Sequence, residues 1–140
     1  MTPLDLRIEE LRPGVMWAAL QGELDSANAY VLDSQLRRAE EHGPAVLIVD
    51  LRGLSFMDST GLARLLAAHR RAKRGGWRLV LIRGRAAVQR VLAMSGLRER
   101  FEIVGGPGVP LPALAPDGAR VRASAAAIAA ALSPAPVAAG

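Results

Sequence analysis

The feature that most constrains this chain is the run Ala45-Val46-Leu47-Ile48-Val49, set between Gly43-Pro44 and Asp50. Glycine and proline end whatever precedes it. Inside the run every position is apolar, without the alternation of a strand that shows one face to water. A strand of this kind is covered on both faces, as in parallel sheets. Parallel strands need long crossover connections, usually helices.

Both flanks supply one. Upstream, Asp25 or Ser26 can cap a helix reaching about residue 42, with Ala29, Leu32, Leu36 and Ala39 along one face. Downstream, residues 52–57 read as a loop. A second helix starts near Asp58 or Ser59 and runs to about Arg74. Its apolar stripe is Leu62, Leu65, Leu66, His69 and Ala72, while Arg64, Arg71 and Arg74 point elsewhere. His69 on that stripe reads as a satisfied, partly buried histidine rather than a ligand. Gly75-Gly76 ends the helix.

The remaining segments fit the same plan. Residues 4–8 alternate as a half-buried strand, Arg12-Pro13-Gly14 turns, and residues 15–20 return as a hairpin strand leading into Gly22-Glu23-Leu24-Asp25. Residues 77–82 form an apolar strand. Residues 86–94 form a short helix closed by Gly96, and residues 101–104 a last strand. Strands alternating with helices predict an α/β fold with a mainly parallel sheet. Residues 105–118 hold Pro107, Pro110, Pro112 and Pro116 and read as an irregular segment. An Ala-rich helix is expected over 120–132 and a disordered tail over 133–140. The 140 residues make one domain, spanning 1–132.

Composition narrows the function. There is no cysteine, which rules out disulfides and thiolate metal sites, and two histidines are too few for a His-based metal cluster. No cofactor or metal is expected. The first ten residues carry Asp5, Glu9 and Glu10 and do not resemble a secretory leader. No stretch of 18 apolar residues predicts a membrane span. The expected location is the cytoplasm. The net charge of +5 is uneven: residues 1–60 are acidic and residues 61–140 basic. Such asymmetry can steer a charged partner. However, Lys73 is the only lysine among 18 basic residues, so the basicity looks like a compositional bias toward arginine. The cluster Arg70-Arg71-Ala72-Lys73-Arg74 reads as a solvated helix end suited to the helix dipole, and no direct nucleic-acid partner is expected.

The segment Asp50-Leu51-Arg52-Gly53-Leu54-Ser55-Phe56-Met57-Asp58-Ser59-Thr60-Gly61-Leu62 carries the chemistry. It brings an acid, two hydroxyls and a glycine to the carboxyl end of a buried strand, where sites gather in open α/β sheets. First-turn N–H groups have no internal partner and tolerate an anion. A phosphate on Ser59 would add about −1.5 to −2 charges beside the Asp58 carboxylate. That would change the surface far more than the fold. The same residues also make an ordinary helix start, with Asp58 or Ser59 as cap, and Phe56 and Met57 a hydrophobic staple before it.

This segment resembles the signature of the STAS-domain anti-sigma-factor antagonists. Gly22-Glu23-Leu24-Asp25 resembles the family's link between hairpin and first helix. Gly75-Gly76 before an apolar strand also fits. So does Val88-Gln89-Arg90-Val91-Leu92-Ala93-Met94-Ser95-Gly96-Leu97, followed by Phe101-Glu102-Ile103-Val104. The resemblance covers about residues 4–104. It implies a small mixed sheet of about four to five strands, with helices mainly on one face. It also implies a partner-switching regulator. Unphosphorylated, such an antagonist binds an anti-sigma factor, a serine kinase of the histidine-kinase-like ATPase type, and so frees a sigma factor. Phosphorylation releases it, and a PP2C-type phosphatase restores it. The acceptor serine maps onto Ser59. Asp58 would present it, and Thr60 and Gly61 would shape the helix start. Gly22, Glu23, Asp25, Ser26, Met57 and Arg64 would belong to the docking surface. Ala63-Arg64 departs from the small or apolar turn common in relatives, as does the length of the proline-rich segment.

Enzyme signatures fail. An aspartic protease would need Asp-Thr-Gly or Asp-Ser-Gly in two copies, whereas Asp58-Ser59-Thr60-Gly61 has one residue too many and one copy. A serine hydrolase would need Gly-x-Ser-x-Gly, and no P-loop is present. The competing roles lie within the family: a scaffold of stress-signalling assemblies, a subunit of a membrane-lipid transport complex, or a small-ligand binder.

Overall fold

The computed structural model describes residues 3–105 and 119–132. The expected irregular segment beyond Gly105 and the expected disordered tail lie outside the described residues. The chain forms β1 (Asp5–Arg12), β2 (Val15–Leu24), α1 (Ala29–Glu40), β3 (Val46–Met57), α2 (Ser59–Gly75), β4 (Arg78–Ile82), α3 (Ala86–Met94), a short 3-10 turn (Arg98–Arg100), β5 (Glu102–Val104) and α4 (Ala119–Leu132).

The five strands make one sheet in the order β1-β2-β3-β4-β5. The β1–β2 hairpin is antiparallel and the other three pairs are parallel. Gly14, with φ of +80°, closes the hairpin in the left-handed region that glycine enters without strain. The apolar run lies inside β3 from Val46 onward, as expected. Leu47, Val49 and Leu51 face one side with Leu32, Leu36, Leu62, Leu65, Val88 and Leu92 of α1, α2 and α3. Val46 and Ile48 face the other, with Val15, Trp17, Val80, Ile82 and the α4 alanines Ala125 and Ala129. Three helices thus share one face and α4 covers the other.

Several boundaries differ from the sequence expectation, β1 reaching Arg12 and β2 reaching Leu24 rather than residues 8 and 20. Residues 52–57 are strand, not loop. The β3–β4 ladder stops at Asp50↔Ile82, but β3 continues against β2 alone as far as Leu24↔Met57, through two irregularities in register. Gly53 permits this, since a Cβ there would lie 2.4 Å from the Leu20 carbonyl oxygen. The first helix begins at Ala29, three residues after Ser26. Neither Asp25 nor Ser26 is its cap, because residues 25–28 are tied up in hydrogen bonds of their own. The bounds of α3 and the start of α2 stand where the sequence puts them.

Two side chains also differ. Arg71 turns inward: its Nε and Nη2 donate to Glu40 at 2.7 and 2.8 Å, with Asp33 at 3.5 Å, and this pins α2 to α1. The carboxylates hold the Arg71 guanidinium's pKa above its ordinary value. His69 is half-buried against Phe101, ring centroids 5.4 Å apart, but its buried Nδ1 has no hydrogen-bond partner among the described residues, so there it is not the satisfied histidine expected. Burial first, and Lys73 second, push its pKa down, against a smaller opposing effect of Glu102.

On the α4 face the sheet buries an ion pair. Arg52 donates through Nε and Nη2 to the two Asp50 oxygens at 2.9 and 2.7 Å, and Trp17 Nε1 adds a bond to Asp50 at 3.1 Å. Asp50 is 1% exposed and Arg52 6%.

Candidate functional site

The site forms where β3 ends and α2 begins, beside the end of β2 and the loop into α1. Asp58 is the N-cap of α2. Its extended backbone (φ −101°, ψ −177°) lets one carboxylate oxygen accept the Gly61 N–H at 3.0 Å. Its other oxygen accepts the Ser26 N–H of the β2–α1 loop at 3.1 Å. Its own N–H donates to the Leu24 carbonyl at 3.1 Å. Asp58 therefore joins two segments 32 residues apart in sequence. Of the alternatives the sequence left open, Asp58 is the cap and Ser59 the first helical residue.

Ser59 is exposed on the opening turn and Thr60 half-buried beside it. Gly61 is buried against β2, where a Cβ would lie 2.6 Å from Leu24 Cγ. A side chain at this position would push the helix start away from the sheet. Glycine here serves close approach, since its φ is not positive.

The neighbouring loop is fixed by its own side chains. Asn28 Oδ1 accepts the Asp25 N–H at 2.9 Å and Asn28 Nδ2 donates to the Glu23 carbonyl at 2.8 Å. Asp25 Oδ1 accepts the Ala27 N–H at 2.9 Å. Gly22 is buried with φ of +99°, and its carbonyl accepts the Ser55 hydroxyl at 3.2 Å. Glu23 and Asp25 are half-buried and Ser26 exposed. The structure thus brings Glu23, Asp25, Ser26, Asp58, Ser59 and Thr60 into one surface region, with Gly22 and Gly61 buried beside it.

Met57 does not join it. Its side chain is 1% exposed and belongs to the core, so it is not available to a partner. Strand alternation explains this: Met57 faces inward and Phe56, its neighbour, faces outward at 46% exposure. Arg64 is exposed. It lies two turns before Arg71 on the same helical stripe. The sequence reading missed Asn28, taken as helical, and the exposed Tyr30, at 69%. For Phe56 the available signal was period-two alternation, hidden because the segment was taken as loop.

No group of three or more acidic or histidine side chains able to hold a metal occurs among the described residues. No described helix is long and apolar enough to cross a membrane.

The site is thus an exposed hydroxyl on the first turn of a helix in an open α/β sheet, beside a loop held by a carboxylate. Residues 9–106 match the STAS domain, so the chain belongs to the STAS-domain family. An anti-sigma F factor antagonist of Paenibacillus polymyxa is 33% identical over 100 residues, which cover 67% of this chain and 82% of that protein. Among solved structures, an anti-sigma factor antagonist of Mycobacterium paratuberculosis superposes with a TM-score of 0.66 at 21% identity, over 89% of this chain and 95% of that one. The antagonist SpoIIAA in its unphosphorylated form gives 0.62 at 24% identity, over 72% and 89%. Its phosphorylated form, from Bacillus, gives 0.57 at 24% identity, over 72% and 92%. These structures share the fold of this chain.

Proposed function

We propose that this chain is an anti-sigma factor antagonist whose docking surface is switched by phosphorylation of Ser59. The observation that carries the reading is the position of Ser59. It is an exposed hydroxyl on the first turn of a helix whose start is locked by Asp58 and Gly61. The relatives named as anti-sigma factor antagonists, one of them also solved in a phosphorylated form, support it.

The unphosphorylated surface binds a protein partner through Glu23, Asp25, Ser26 and Arg64, with Tyr30 and Phe56 as exposed apolar anchors. That partner is an anti-sigma factor serine kinase with a histidine-kinase-like ATPase fold, and its capture frees a sigma factor. In the transfer, Ser59 Oγ bonds to the γ-phosphorus of ATP, the bond to ADP breaks, and the hydroxyl proton leaves. The dianion stands beside Asp58, Asp25 and Glu23, so an acidic patch becomes strongly anionic and the complex separates. A PP2C-type phosphatase hydrolyses the ester and resets the surface. The protein acts by binding and needs no catalytic group or cofactor of its own.

Phosphosite mapping tests this. The full chain and Ser59→Ala are incubated with source-cell extract and ATP, then digested and read by mass spectrometry. Phosphate on the peptide holding Ser59 in the parent, and none in Ser59→Ala, is expected. Full phosphorylation of Ser59→Ala refutes the assignment.

A further inference from the structure

The hydrogen bonds around Asp58 go further than capping. An N-cap needs one acceptor oxygen, and serine, threonine or asparagine supplies it. Asp58 uses two. One oxygen holds Gly61 N–H of its own helix and the other holds Ser26 N–H of the β2–α1 loop. Only a carboxylate offers two such oxygens, because asparagine would present its NH2 group to one of the two N–H donors.

A second observation concerns the loop. Asn28 stands at the N-cap of α1, yet its side chain makes no capping bond. It points back and holds Asp25 N–H and the Glu23 carbonyl. Helix α1 thus gives up a capping bond worth about 1 kcal/mol so that the loop keeps its shape. Departures from local rules of this kind concentrate at functional sites. Residues 25–28 are held from within by Asn28 and Asp25, and Asp58 ties them from outside to the start of α2.

We propose that the Asp58 carboxylate is a relay: a phosphate on Ser59 displaces it from Gly61 N–H, the Ser26 end of the clasp opens, and the modification is read at the β2–α1 loop as well as at residue 59. The inference rests on Ser59 as the acceptor. A phosphate on the first helical residue reaches the N–H groups of that turn, Gly61 N–H among them, and carries more charge than a carboxylate, so it is the stronger acceptor there. Asp58, adjacent in sequence, is repelled by the same charge. It rotates away, and its two hydrogen bonds are lost together because one rigid carboxylate makes both. The loop that carries Asp25 and Ser26 then loses its external support, while Asn28 keeps its internal bonds. Asp58 is in this sense a positioning residue for the docking loop.

The test needs no kinase. Phosphoserine is installed at position 59 of the full chain by genetically encoded incorporation, and amide hydrogen exchange is followed by NMR beside the unmodified chain. Exchange at Ser26 is expected to rise about fivefold, as for loss of one hydrogen bond, with Leu36 in the core of α1 unchanged. Asp58→Asn without phosphate should raise Ser26 exchange by a similar factor. An unchanged Ser26 amide in the phosphorylated chain, or one that rises only in step with Leu36, overturns the relay. Because the phosphate is placed synthetically, that result leaves the Ser59 switch standing, whereas failure of phosphosite mapping removes the switch, and the relay with it, whatever the exchange at Ser26.

Discussion

The two faces of the sheet bury their residues by different means. The face under α1, α2 and α3 is an apolar core rich in leucine, and its polar contacts lie at the rim, Asp58 with Ser26 at the start of α2 and Arg71 with Glu40 toward the ends of α1 and α2. The α4 face is smaller and carries the Asp50–Arg52–Trp17 group. Both charges there are almost fully buried. On the first face the rim is available for recognition because leucine packing already supplies stability. On the second, a charged pair sits on the face that α4 packs against, and its integrity depends on both partners being present.

That contrast orders the expected effects of substitution. The largest is on the α4 face. Asp50→Ala leaves the Arg52 guanidinium buried without its carboxylate and Trp17 Nε1 without an acceptor, and should cost about 3–5 kcal/mol in urea unfolding. A cost below about 1 kcal/mol would erase the distinction between the faces. Next comes the rim of the leucine face. Gly61→Ala forces a methyl group to within 2.6 Å of Leu24 Cγ, and about 1–3 kcal/mol should be lost. The same substitution should move the NMR signals of Ser26 and Ser59 more than those of Trp17, because the strain falls at the helix start.

A smaller effect follows from His69. Burial and Lys73 hold its folded pKa below the 6.5 of the unfolded chain. The unfolded state then binds the extra proton first as pH falls. Its contribution is present above 6.5 and is lost as pH falls toward the folded value. The parent should therefore lose stability in that window, and His69→Gln should flatten the slope in pH-dependent thermal melts. Smallest is the exposed Arg37–Asp33 pair on α1. Arg37→Ala should change stability by about 0.3–0.5 kcal/mol, decreasing further in high salt.

The fold was legible where apolar periodicity speaks without interference. The run at residues 45–49, the stripe of α1, the α2 start and the α3 bounds all follow from it. It failed where polar residues do structural work. Arg52, Gly53 and Ser55 look like a loop, yet Arg52 is neutralised by Asp50, Gly53 fits against Leu20, and Ser55 bonds Gly22, so the strand continues. Residues 25–28 look like a helix start, but their side chains fold back on their own loop. At the site, motif and resemblance picked out Asp58, Ser59 and Gly61, while the pairing of Asp58 with Ser26 depends on a contact 32 residues away that no local pattern encodes. Met57 was misplaced for the same reason: whether it points in or out depends on the strand extending to residue 57.

The most direct test of the central claim is a paired affinity capture from source-cell lysate, with the parent chain and Ser59→Asp as baits and bound proteins identified by mass spectrometry. The account predicts that the parent retains an ATPase-type anti-sigma kinase and that Ser59→Asp retains at least about tenfold less of it. Equal recovery of the same partners on both baits, with no such kinase among them, would contradict it.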